Sequence, residues 1–372
     1  MNVPKLRFKE FNDEWINNCL SDIATITMGQ SPSSKNYTSN KNNIILIQGN
    51  ADLNNGHVVP RIFTTQITKT CNINDIIITV RAPVGDTAIS DYNACIGRGV
   101  CAISGDKYIY HYLNYLKIND YWKKISKGST IDSITSNDIK NLNINFPNST
   151  EAKKIVKTLD SLDKKIELQS KKIEDLKLFK TCTRNELFKN FDYKCKLKDI
   201  LIKWNKKNKD NEINYVESIS NKYGFVSQSD QFESRKVASK DLKNYYIIEK
   251  NVFGYNPSRL NVGSLALKID DKISVVSPLY ECFTTTQNKK FLLEWFNSKY
   301  FQKETISKFE GGVRNTLNFS NLCDIEIGLP SMNNQKKYDE VFTAFDTKIN
   351  LEKNKLNKLI ELKRGLMQNM FV

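Results

Sequence analysis

The feature that most constrains this chain is an internal repeat. Residues 128–188 align without a gap on 311–371 when 183 is added to every number. Gly128 falls on Gly311, Ile144 on Ile327 and Pro147 on Pro330. Lys153 and Lys154 fall on Lys336 and Lys337, and Asp163, Lys165, Ile166 and Leu168 fall on Asp346, Lys348, Ile349 and Leu351. Lys172, Leu176, Lys180 and Phe188 fall on Lys355, Leu359, Lys363 and Phe371. Ile-Ser-Lys precedes the glycine in both copies, at 125–127 and at 306–308. Two copies are too few for a solenoid, which stacks three or more small units. They suggest one chain imitating a two-fold dimer, each half a variable block followed by a conserved-looking tail.

The tails have the pattern of long helices. Ile155, Leu159, Leu162, Ile166, Ile173, Leu176 and Leu187 recur in steps of four and three. So do Tyr338, Phe342, Phe345, Ile349, Leu356, Leu359 and Met370. This is a heptad seam, narrow enough to want one partner seam. It breaks in the same register in both tails, at Gln169 and Glu352 and again at Lys180 and Lys363. Pro147 and Pro330 stand just upstream, where proline ends a strand and favours a helix start. Gly365 alone interrupts the second tail. A helix of some 38 residues is about 57 Å long at about 1.5 Å per residue, well beyond an ordinary globular helix. The nearest partner for each tail is the other, so an antiparallel coiled coil is expected. The competing reading packs each tail on its own neighbouring block.

The blocks, about 1–150 and 191–332, mix short strands with helices, so the fold class expected is mixed α+β. DIIITV (75–80) and GVCAI (99–103) read as strands in the first, and SLALKI (264–269) and KISVVS (272–277) in the second. YHYLNYLKINDYWKKI (110–125) and FLLEWFNSKYFQKETI (291–306) read as amphipathic helices, and LSDI (20–23) matches LKDI (197–200) as an opening. The turns between these elements carry Arg61, Arg81, Arg98 and Lys127 in the first block. In the second they carry Lys222, Tyr223, Arg235, Lys236, Asn256, Arg259, Asn261 and Arg314. Arg and Lys can grip a guanine edge and Asn an adenine edge, although polar residues populate turns in any protein. These twelve are the candidate DNA contacts.

Composition narrows the function classes. The formal net charge is +15 in 372 residues, an excess that usually meets a polyanion. The tails carry +4 (eleven basic, seven acidic over 151–190) and +3 (eight against five over 333–372), leaving +8 for the blocks. MNVPKLRFKEFNDEW lacks the apolar core of a signal peptide, and no run approaches about 18 apolar residues. Eight scattered cysteines, none in a C-x-x-C pair, read as reduced and mostly buried thiols of a cytoplasmic protein. With only His57 and His111 in the chain, zinc sites and histidine-dependent triads have little to work with. There is no phosphate loop, no nucleophile elbow and no methyltransferase motif pair; Asn256-Pro257-Ser258 is not one. Acid-x-Lys groups such as Asp163-Lys164-Lys165 lie on the helix pattern rather than on strands. No catalytic residue and no metal ligand is expected.

Over its whole length the chain resembles the specificity subunit of type I restriction-modification systems. The resemblance rests on the LSDI and LKDI openings, NPSRLNVGS (256–264) and the glycine that starts each conserved arm. It rests also on INFP and IGLP, each followed by a long Lys-rich helix. Many family members have Glu-Gln at each helix start; here the first copy keeps the Glu (Glu151-Ala152) and the second the Gln (Asn334-Gln335). The resemblance implies target-recognition domains at 1–150 and 191–332, and spacer helices at 151–190 and 333–372 acting as a ruler between two halves of a split site. Major grooves one turn apart, about 34 Å, would be within reach. It also implies two methyltransferase subunits on the helices and two translocating nuclease subunits outside them. S-adenosylmethionine, ATP and magnesium would be bound by those partners and none by this chain. The blocks differ in sequence, so the DNA site would be asymmetric. Three other readings compete: a recognition subunit whose partner fuses methylation and cleavage, an unrecognised nuclease or methyltransferase, and a coiled-coil scaffold indifferent to DNA.

Overall fold

The computed structural model describes residues 3–126, 133–189, 191, 193–228, 241–306, 308 and 316–372. The contacts divide it into two compact units, one built from residues 1–171 with 353–372, the other from 172–352. Each unit therefore takes half of each long helix.

In the first unit the opening strand Ile16–Cys19 pairs antiparallel with Asn143–Phe146, the strand that leads into the first long helix. A six-stranded sheet runs in the order Thr25–Met28, Val100–Ser104, Ile76–Thr79, Thr87–Ile89, His57–Val58, Leu53–Asn54. A five-stranded sheet runs Tyr37–Thr38, Ile62–Thr64, Ile44–Ile47, Ala94–Ile96, Lys69–Cys71. The apolar run at 76–79 is buried on both faces, because alternate side chains serve different cores. Ile76 and Ile78 join Cys101, Ile103 and the helix residues Tyr108 and Leu113. Ile77 joins Ile47, Ala88 and Ala102.

The helix Lys107–Ile118 is capped by Asp106, whose carboxylate accepts the Tyr108 N–H at 2.7 Å. A single helix was expected over 110–125. The chain instead breaks at Asn119–Asp120, where Asp120 adopts a left-handed φ of 55°, and a second helix follows at Tyr121–Ser126. The Asn119 side chain donates to the Tyr115 carbonyl and ends the first helix. The 291–306 segment divides in the same way, into Lys289–Phe296 and Lys299–Ile306. Asn297 and Ser298 lie between, with Asn297 donating to the Leu293 carbonyl.

The second unit repeats the opening: Lys194–Lys196 pairs antiparallel with Glu326–Gly328, which sets Cys195 opposite Ile327 as Asn18 is opposite Ile144. Its four-stranded sheet runs Leu201–Lys203, Glu281–Thr285, Phe253–Tyr255, Leu265–Leu267. Phe253 and Phe283 are register partners with rings stacked at 5.0 Å. The helix residues Phe291, Trp295 and Phe296 close this core.

The long helices span Ser149–Leu187 and Met332–Met370, 39 residues each, and Gly365 does not interrupt the second. In the second unit Lys172 meets Glu352 at 3.1 Å and Lys180 meets Asp346 at 2.7 Å. Rising numbers on one helix thus meet falling numbers on the other, and the pair is antiparallel. Leu162, Ile173, Phe342 and Ile349 of the predicted seam are buried, while Ile166, Leu176, Phe345, Leu356 and Leu359 are half-buried. The outer turns differ from the expectation of one helix-to-helix seam. Ile155, Leu159 and Met370 enter the first unit's core, and Leu187 and Tyr338 pack on the second's. Each unit offers the helix ends a larger apolar surface than one facing helix could.

The lysines that break the seam are cross-helix donors. Lys363 binds Asp163 in the first unit and Lys180 binds Asp346 in the second. Both lysines and both aspartates are related by the 183-residue offset, so this is one ion pair made twice. The other break, Glu352, is fully buried and held by Lys172 and Lys348.

The helix starts show what the retained residues Glu151 and Gln335 do. Glu151 is buried and accepts from Arg7 Nε and Nη2, both at 2.8 Å, and from Trp15 Nε1 at 3.1 Å. Gln335, also buried, donates to the Gln287 side chain and the Pro330 carbonyl and accepts the Asn288 N–H at 3.1 Å. All eight cysteines are free thiols. Four are buried, fewer than the sequence reading expected, and Cys182 is exposed. Burial pushes the Cys101 and Cys282 thiols up to about 12.

Candidate nucleic-acid interface

In the first unit the sheet brings two candidates to one edge. Val100 is the register partner of Thr79, and the Val80 N–H donates to the Gly99 carbonyl at 2.9 Å. Arg81 and Arg98 therefore flank the same backbone bond, and both are exposed. Arg98 stands between two glycines. A Cβ at Gly99 would lie 2.1 Å from the Gln48 carbonyl oxygen, so only glycine lets the Arg98 turn press against the turn at 48–52. That second turn is organised by Asp52, whose buried carboxylate accepts the N–H groups of Gln48 at 2.8 Å and Gly49 at 3.3 Å. Arg61 joins it by donating to the Ala51 carbonyl at 3.1 Å, with Asp52 Oδ1 at 3.8 Å. Three arginines thus converge on one pair of turns. Sequence reading passed over Gln48 and Asp52. Gln48 Nε2 is buried with no hydrogen-bond partner among the described residues, and no pattern in the sequence marks it.

In the second unit Lys222 and Tyr223 form the exposed tip of a hairpin, Glu217–Ser220 with Gly224–Ser227. Ser220 Oγ accepts the N–H groups of both tip residues, and Lys222 Nζ lies 5.0 Å from the Tyr223 ring centre. The turn of 3-10 helix Pro257–Val262 lies alongside, since a Cβ at Gly263 would be 3.6 Å from Asn221 Cβ. Arg259 is exposed on that turn. Asn256 caps it: its side-chain oxygen accepts the Ser258 N–H at 3.0 Å. That bond holds the turn that carries Arg259. Asn261 lies on the same turn with its side chain outside the description. Lys127, Arg235, Lys236 and Arg314 lie outside the described residues.

One group among the described residues has metal-ligand chemistry. Ligand atoms of His111, Asp160 and Asp163 lie within 4.8 Å of one another. Lys107 donates to Asp160 at 2.8 Å and Lys363 donates to Asp163, so two ammonium groups already balance the two carboxylates. His111 Nε2 is 2.9 Å from Asp160 Oδ1. Burial lowers the His111 pKa against the opposing pull of Asp160, which keeps the ring neutral. These residues form a structural network. No described helix is long and apolar enough to cross a membrane.

Two mixed α/β units that each expose cationic turns and each take part of two repeated helices define a duplicated recognition protein. The family profile of the type I restriction modification DNA specificity domain matches twice, at residues 12–178 and 189–362. The chain belongs to this family of type I restriction-modification specificity subunits. A relative assigned to the MjaX type I restriction enzyme of Methanocaldococcus jannaschii is 33% identical over 168 residues, covering 44% of this chain and 39% of that protein. The chain thus aligns with about two fifths of the length of the curated relatives it matches. The fold is similar, at a TM-score of 0.59 and 18% identity, to the type I specificity subunit of M. genitalium, over 100% of this chain and 99% of that one. It matches equally, at 0.59 and 15% identity over 97% and 98%, a chain from a structure of type I system assembly and conformational transition.

Proposed function

We infer that this chain is the non-catalytic DNA reader of a type I restriction-modification complex in the cytoplasm, and that each unit reads one half of an asymmetric, gapped site. The observation that carries the reading is a contrast. The helix framework repeats in register without a gap, down to the Lys–Asp pair. The exposed turns do not: Arg61, Arg81 and Arg98 gather in one unit, and Lys222, Tyr223 and Arg259 in the other. A conserved frame with divergent polar edges suits one task performed on two different base sequences.

The same symmetry supports two copies of one partner. Leu168 and Leu362 in the first unit correspond, through the 183-residue offset, to Leu351 and Phe179 in the second, and all four are more than half exposed. Equivalent apolar positions on the helices suit two methyltransferase subunits, with two restriction subunits beyond them. S-adenosylmethionine, ATP and magnesium then belong to those partners, and the assembled complex methylates adenine and cleaves DNA at the expense of ATP.

The test is to co-express the chain with the methyltransferase subunit of its own system in a methylation-free host and map modified bases across the genome. One asymmetric two-part motif with a fixed gap is expected. A continuous or palindromic motif would refute the two-reader model.

A further inference from the structure

We propose that the buried Lys268–Glu217–Ser274 network is a positioning device for DNA reading. It locks the register of the 217–227 hairpin so that Lys222 and Tyr223 are held at the DNA-facing edge. The proposal rests on the reading that the second unit contacts DNA.

Lys268 is 1% exposed and Glu217 5%. Lys268 Nζ donates to Glu217 Oε2 at 2.6 Å, and Ser274 Oγ donates to the same oxygen at 2.5 Å. Lys268 also meets Asp270 at 3.0 Å. Stability alone does not account for an ion pair so deeply buried. The desolvation of two charges cancels much of their attraction, and well-packed apolar residues often do as well or better.

The hairpin explains what the pair is for. Its two strands form a sheet of their own, separate from the four-stranded sheet, and two strands alone are marginal. Backbone contacts also hold the strand Glu217–Ser220, among them the Val216–Val275 bridge and the Ser264 hydroxyl donated to the Ile219 carbonyl at 3.3 Å, but its own side chains choose a register weakly. The side chains of this strand are Glu217, Ser218, Ile219 and Ser220, with only one large apolar residue to choose the inward face. A slip of one residue reverses every side chain. It would turn Ile219 outward and carry Lys222 and Tyr223 to the wrong side. Glu217 opposes the slip, because a shift of one residue takes its carboxylate away from both Lys268 and Ser274. Lys268 directly follows the strand Leu265–Leu267, and Ser274 opens the strand Ser274–Val276, so the anchor ties the hairpin to two other elements. Ile219 and Phe225, opposite each other in the hairpin, then pack over Gly254. A Cβ at Gly254 would stand 2.9 Å from Ile219 Cδ1 and 3.2 Å from Phe225 Cζ.

The experiment uses the chain in complex with its methyltransferase subunit and reads the two halves of the methylated motif separately. It compares a Lys222→Ala/Tyr223→Ala variant, Glu217→Gln, Lys268→Met, and the double variant Glu217→Gln/Lys268→Met, with the thermal midpoint of each complex measured alongside. The tip variant should lower discrimination in the second unit's half about tenfold, the worth of one good base contact, and leave the other half intact. Each single network variant should reproduce that one-sided loss. The double variant removes both charges. It should recover the thermal midpoint while leaving discrimination impaired, an outcome a merely structural role would not give.

If the tip variant leaves the motif unchanged, the hairpin does not read DNA and the underlying reading fails at this site. If the tip variant changes the motif and neither network variant does, the positioning proposal is overturned. Full recovery of discrimination in the double variant, or equal loss in both halves, would overturn it too.

Discussion

The lysine–aspartate pair made once in each unit lets each copy serve as the other's control. Lys363–Asp163 and Lys180–Asp346 share register and helix geometry but differ in exposure of the acid, Asp163 at 35% and Asp346 at 56%, while the lysines are close at 17% and 12%. Ion pairs open to water are worth little, ~0.2–1 kcal/mol in double-mutant cycles, while breaking a pair shut away from water costs several times more. Water screening puts the Lys180–Asp346 coupling at about 0.5 kcal/mol. The less exposed Lys363–Asp163 pair, discounted for the third of Asp163 that water still reaches, should couple by about 1.5 kcal/mol. Lys180 also meets Glu294 at 2.8 Å, which Arg184 holds at 2.7 Å. A double-mutant cycle removes this side interaction, since it isolates the pairwise contribution. The assay is amide hydrogen exchange in the helix segments around Asp163 and Asp346, for Lys→Met, Asp→Asn and double variants of each pair. Non-additivity in protection should be about tenfold in the first unit and about twofold in the second. Equal or reversed couplings would refute the exposure reasoning, and no coupling in either unit would refute the pairing itself.

Three further predictions follow from buried groups. His111 has a folded pKa below its ordinary 6.5 because burial disfavours the charged ring, and Asp160, Asp163, Lys107 and Lys363 surround it. Below pH about 6.5 the unfolded chain takes up the proton that the folded chain refuses, so stability should fall as the pH drops through that value. Melting curves of wild type and His111→Gln between pH 8 and 5 should differ in slope only there. Arg7→Ala leaves the buried Glu151 carboxylate with Trp15 as its one side-chain partner among the described residues and should cost about 3–5 kcal/mol in urea unfolding of the first unit. Gly99→Ala drives a Cβ into the Gln48 carbonyl and should cost about 1–3 kcal/mol. It should also weaken reading of the first unit's half in the methylation map while the second half is kept.

The repeat made the helix framework legible before any coordinates, because a gap-free offset fixes register as well as extent. Periodicity also found the strands at 76–79 and 100–104. Two things escaped it. Lys180 and Lys363 looked like defects in a seam, since a one-dimensional apolar pattern has no place for a cross-helix acid; only the antiparallel pairing reveals Asp346 and Asp163 as their partners. The helices over 110–125 and 291–306 each became two, since Asn119-Asp120 and Asn297-Ser298 end a helix by side-chain bonds that an apolar stripe does not record. The candidate contacts were read from turn composition alone. That found the exposed Arg81, Arg98 and Tyr223 but did not show that Asn256 caps the turn carrying Arg259. Nor could it find Glu217 and Lys268, which lie far apart in sequence and gain their meaning from burial.

The division of the chain into units also bears on the order in which the protein can be made. The second unit is one unbroken stretch, 172–352, so every residue it needs has been synthesised by the time its half of the second helix appears. The first unit begins earlier and finishes later. Its core keeps places for Met367, Met370 and Phe371, and Tyr108, Tyr112 and Tyr115 have no Phe371 to pack on until those residues emerge. On the ribosome the half that starts first is therefore the last to be completed, its aromatic core waiting on Phe371.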